Sequence, residues 1–147
     1  MSAVPVLQMR LVVEVDDLDA AVAFYRDALG LAQQAAFSGD GNAQVVIFDA
    51  GRATLELANH AQAELIDSVE VGARVSPKFR VAFEVADSAD LTERLVASGA
   101  TLIAAPRETP WRSLNSRLAG PGGIQLTLFE ELEPPGLRAT RTGFGQA

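Results

Sequence analysis

Two stretches of this chain read alike, and that repeat restricts the fold more than any other feature. RLVVEVDDLDAAVAFYRDALGL, from Arg10 to Leu31, returns at an offset of about 70 residues as RVAFEVADSADLTERLVASGATLI from Arg80, and self-similarity at a fixed offset marks a duplicated unit. Arg80 falls on Arg10, Glu84 on Glu14, Val85 on Val15 and Asp87 on Asp17. In the first copy Leu11, Val13 and Val15 alternate with Arg10, Val12 and Glu14, the period of a strand. Asp16 and Asp17 then offer carboxylates to the free N–H groups of a helix start. Leu18, Ala21, Val22, Tyr25, Ala28 and Leu29 come next at helical spacing as an apolar stripe. Gly30 stands where a left-handed cap ends a helix. Gly99 takes that place in the second copy, after a slip of one residue.

The segments C-terminal to the two copies also match. Ala32–Phe37 and Gln44–Asp49 flank the turn SGDGN, a hairpin, and Ala53–Leu57 (ATLEL) predicts a further strand. In the second copy strands are expected at Thr101–Ala105, Arg112–Leu118 and Ile124–Phe129, with Leu126-Thr127-Leu128 lying over Leu55-Glu56-Leu57. The reading is an α+β fold of two tandem βαβββ modules, 8–58 and 79–130, in one structural domain. A connector, 59–78, carries a short helix over His60–Val69, since so long a link is rarely left bare. The Pro- and Gly-rich tail, 131–147, is expected to be extended or disordered.

Composition narrows the chemistry. With 147 residues and 48% apolar side chains, the chain is large enough for one packed domain. No cysteine is present, which removes disulfides, thiolate metal sites and cysteine nucleophiles. The net charge of −7 disfavours nucleic acid and anionic membrane surfaces as partners. No apolar run approaches the roughly 20 residues of a membrane span, and MSAVPVLQ does not have the form of a secretory signal. A cytoplasmic protein is expected.

The motifs VDDLDAAVAFYRDALGL, ATLEL, RVAFEV and the PW…RL…GPGG–strand ending together resemble the vicinal oxygen chelate superfamily, the glyoxalase, bleomycin-resistance and extradiol-dioxygenase group, over roughly residues 8–130. The resemblance implies curled mixed sheets around a cavity with helices outside, and a homodimer. It also implies four metal-ligand positions, a His opening each module and a Glu in each fourth strand. Here those positions hold Arg10, Glu56, Arg80 and Thr127. A guanidinium stays protonated and has no lone pair to give a cation. Only Glu56 suits a metal, so neither metal nor other cofactor is expected. His60, the lone histidine, lies just past the Glu56 strand and is read as a surface residue of the connector.

The faces turned to the cavity are polar. Alternation puts Arg10 with Glu14, Thr54 with Glu56, Arg80 with Glu84, and Gln125 with Thr127, each opposite an apolar face. Trp111, Asn115 and Arg117 add a stacking surface, an amide and a guanidinium for a planar ligand. The candidate ligand-binding residues are therefore Arg10, Glu14, Glu56, Arg80, Glu84, Trp111, Asn115, Arg117 and Thr127. The same residues suit an Arg–Glu lattice that closes the cavity by pairing its charges internally. Three functions are compatible with this pattern. The first is a small organic ligand held without metal, as in resistance-type sequestration or a carrier. The second is a lyase, isomerase or dioxygenase-like enzyme with Glu56 as base and Arg10 and Arg80 stabilising an oxyanion. The third is a ligandless structural dimer.

Overall fold

The computed structural model describes residues 11, 13, 15–38, 40–53, 60–138 and 140. The strand expected over Arg10–Val15 lies largely outside them, as does the one over Ala53–Leu57. The chain divides into two compact units, Met1–Leu57 and Ala58–Ala147.

In the first unit, helix α1 opens at Leu18–Val22 and continues as a π-helix over Ala23–Ala28. Asp17 caps it, its carboxylate accepting from Ala20 N at 3.0 Å. Gly30, at φ +90°, ends it. The π turn accounts for the slip in the repeat. From Asp17 to Gly30 is one residue more than from Asp87 to Gly99. Leu29 N reaches back five residues to Phe24 O at 2.9 Å, so the extra residue is absorbed in one wide turn. Strands β1 (Ala32–Ser38) and β2 (Gln44–Asp49) pair antiparallel as the expected hairpin. Ala21 and Phe24 are buried, the latter meeting Tyr25 edge-on at 4.9 Å.

The second unit runs α2 (His60–Glu70), β3 (Arg80–Glu84), α3 (Ser88–Ala97), β4 (Thr101–Glu108), β5 (Ser113–Ala119), β6 (Gln125–Glu131) and α4 (Pro135–Arg138). Its sheet has the order β3-β6-β5-β4, with β3 parallel to β6 and the other neighbours antiparallel. Asp87 caps α3 as Asp17 caps α1, accepting from Asp90 N at 3.0 Å. Gly99, at φ +110°, comes just after that helix.

Register fixes the faces of this sheet. Arg80, Gln125 and Ala119 lie in one cross-strand row, Ala82, Thr127 and Arg117 in the next, Glu84, Phe129 and Asn115 in a third. These rows share one face, the one that alternation makes polar. The other face carries Leu118, Leu126 and Leu128, all fully buried with Leu95 of α3. Hydroxyls tie α3 down at its edge, Thr92 Oγ1 lying 2.7 Å from Ser116 Oγ.

The tail departs from expectation at its start. Strand β6 runs on to Glu131, Leu132 N donates to Arg112 O, and α4 comes next, with Arg138 ion-paired to Glu131. Backbone pairing to the turn before β5 gives this stretch the order its composition lacks.

Candidate functional site

The polar face of the second sheet is where the described candidates meet, and Arg117 is its centre. The side chain is fully buried. Its Nη1 donates to Asp67 Oδ1 at 3.0 Å and to Ser76 Oγ at 2.9 Å, and its Nη2 donates to Glu70 Oε2 at 2.6 Å. Asn115 Nδ2 donates to the other oxygen of Glu70 at 2.6 Å. Arg80 Nη1 donates to Thr127 Oγ1 at 2.6 Å, and that hydroxyl lies 3.5 Å from Glu70 Oε2. Gln125 joins the row, accepting from Arg117 and donating to Val75 O at 2.7 Å.

The two acids come from the connector. Asp67 and Glu70 lie one helical turn apart, so both point the same way from α2. They are the buried residues of that helix, whereas Leu65 is exposed. Helix α2 therefore puts carboxylates at its most buried positions, with Ala63, Ile66 and Val69 half-buried beside them. Asp67 is held further by Arg74 Nη1 at 2.7 Å, by the N–H groups of Val75 and Ser76 at 2.9 Å each, and by Ser76 Oγ. Burial pushes the Asp67 carboxyl upward, but the bonds from Ser76, Arg74 and Val75 outweigh it and hold the group well below the usual carboxylate range.

Of the sequence candidates, Arg80, Asn115, Arg117 and Thr127 come together here. Glu84 shares their face but is exposed at the far end of β3. Trp111 sits half-buried in the turn before β5 and not on a strand. His60 is the exposed first residue of α2. Arg10, Glu14 and Glu56 lie outside the described residues. Within this unit the acids that neutralise the buried guanidinium of Arg117 are Asp67 and Glu70, neither of them among the sequence candidates. Their three-residue spacing was the available signal, but alternation names faces and not the element that covers them.

The two positions that the resemblance assigns to metal ligands in the second module hold Arg80 and Thr127, whose side chains bond one another. A protonated guanidinium donating to a hydroxyl offers no electron pair to a divalent ion. Among the described residues no group of three or more His, Cys, Asp or Glu is placed to hold one.

A family model described as Glyoxalase/Bleomycin resistance protein/Dioxygenase superfamily matches residues 8–128. The chain belongs to that superfamily. Solved structures agree at the level of the fold. A glyoxalase family protein from Bacillus cereus is 23% identical, with 90% of this chain and 99% of that one covered and a TM-score of 0.56. A member of the glyoxalase/bleomycin resistance protein/dioxygenase superfamily from Sphaerobacter thermophilus is 23% identical, covering 81% and 92%, with a TM-score of 0.53. A glyoxalase-related enzyme from Fulvimarina pelagi is 19% identical, covering 86% and 89%, at 0.52. No curated protein matches the sequence. The mixed α+β architecture is thus that of the glyoxalase/bleomycin-resistance superfamily, and among the described residues no helix is long and apolar enough to cross a membrane.

Proposed function

We propose that this superfamily member binds a small organic ligand without a metal, in a sequestering or carrier role. The observation that carries the reading is the Arg80–Thr127 hydrogen bond, in which a guanidinium donates to a hydroxyl at two positions that the resemblance assigns to metal ligands. Beside it, on the same face, Asn115 and Arg117 donate to the carboxylates of α2, chemistry that also suits an oxygen-rich ligand. Such binding needs a shaped, partly polar surface and no general base.

The ligandless reading draws on one specific observation: Asp67 and Glu70 already neutralise Arg117. One experiment weighs both readings, and the enzymatic one with Glu56 as base. A metabolite library is screened by thermal shift and for turnover, with chelator and with added divalent metal. The expected result is a ligand that raises the melting temperature equally in both conditions, with no product formed. Turnover that appears on adding metal, or about one metal ion per purified chain by elemental analysis, overturns the metal-free reading. A library without a binder favours the ligandless one.

A further inference from the structure

We infer that helix α2 is an internal occupant of a dicarboxylate site built on Arg117 and Asn115, and that a free dicarboxylate enters by displacing Asp67 and Glu70. The inference rests on the small-molecule reading above and assigns that ligand's class. Two carboxylates from successive turns reach a single guanidinium, one on each terminal nitrogen, at 3.0 and 2.6 Å. A small diacid presents the same pair of negative charges to the guanidinium.

The fit of α2 is incomplete. Arg117 Nε and Asn115 Oδ1 are buried on the same face and have no hydrogen-bond partner among the described residues. A buried donor and acceptor left unmet are costly. A hydroxyl on the ligand both accepts and donates, so it offers a partner to either group.

For the guanidinium alone, displacement exchanges like for like. The guanidinium trades two carboxylates for two others, while Asp67 and Glu70 return to water, where their charge is well solvated. The fully buried residues of α2 are these acids, with Ala63, Ile66 and Val69 half-buried beside them. The chain turns at Gly72 (φ +86°), whose missing side chain leaves open space around it. What opposes entry is the tether, which keeps the helix's own acids at an effective concentration of millimolar order, together with the bonds that hold Asp67 to Arg74, Val75 and Ser76.

The test uses malate, a diacid carrying a hydroxyl, on the full chain. Glu70→Gln keeps the shape of the side chain and its amide contact to Asn115 but weakens the competitor. Calorimetric titration should show malate binding this variant at least about ten-fold more tightly than the wild type, consistent with release from a tethered rival. In the wild type, saturating malate should speed amide hydrogen exchange along α2, a readout that holds even if the variant folds poorly. Equal affinity in both proteins, or exchange in α2 unchanged at saturating malate, overturns the inference. So does a failure of malate to bind either protein. If a library compound binds the wild type while α2 exchange stays constant, the small-molecule function stands and the role of α2 falls.

Discussion

Arg117 carries the largest single consequence at the scale of one residue. Removing a partner from a buried ion group strands the charges it neutralised, at a cost of about 3–5 kcal/mol. Arg117→Ala should therefore lose that much stability by urea denaturation, and a loss below about 1 kcal/mol says that water reaches Asp67 and Glu70. Arg80→Ala breaks a bond that is only part-buried and should cost about 1 kcal/mol. Asp67 adds a pH dependence. Its folded carboxyl holds a proton less tightly than the unfolded one, so its contribution is full above the ordinary value near 3.8 and is lost as pH falls below it. Denaturation midpoints should be flat from neutral pH to about 5 and fall in more acid solution, with a shallower fall in Asp67→Asn; an unchanged slope in that variant assigns the acid sensitivity elsewhere. The inward residues of β5 and β6 were legible because alternation and pairing register both arise from a two-residue period. The partners of Arg117 were not, because a guanidinium accepts any acid that the tertiary fold delivers.

At the scale of the element, the two capped helices show how much local chemistry decides. Asp17 and Asp87 each bond the N–H three residues on, as their place before an apolar stripe predicts. Asp87→Ala should cost about 1 kcal/mol, the usual worth of an N-cap, read by urea denaturation of the chain. A change within error means that the first turn of α3 is held by Ser88 and its bond from N to Glu130 Oε1 instead. The stop at Gly30 was also readable, but the π turn before it was not. A one-residue surplus between cap and stop says only that something must widen or shift, and side-chain packing selects which. For α2 the helix itself was legible from spacing, whereas its seat was hidden. An apolar stripe is the usual sign of a buried side, and here the most buried positions are acidic.

For the molecule as a whole, we expect a homodimer. In the second unit β3 and β4 are the edge strands among the described residues, and edges invite pairing unless covered. Phe79, at 80% exposed, and Leu102, at 46%, leave apolar area beside those edges. Sedimentation at several concentrations should give twice the chain mass, and a concentration-independent monomer removes the expectation. The sheet of the second unit also has two unlike sides. Its leucine side is held by hydrocarbon, whose exposure on unfolding raises heat capacity, while release of α2 exposes mainly charged groups, which lowers it. Cooling therefore weakens the grip of α3 more than that of α2. Warming makes water a poorer host for bare carboxylates and guanidiniums, so the ionic side is the one that holds its helix as the temperature climbs.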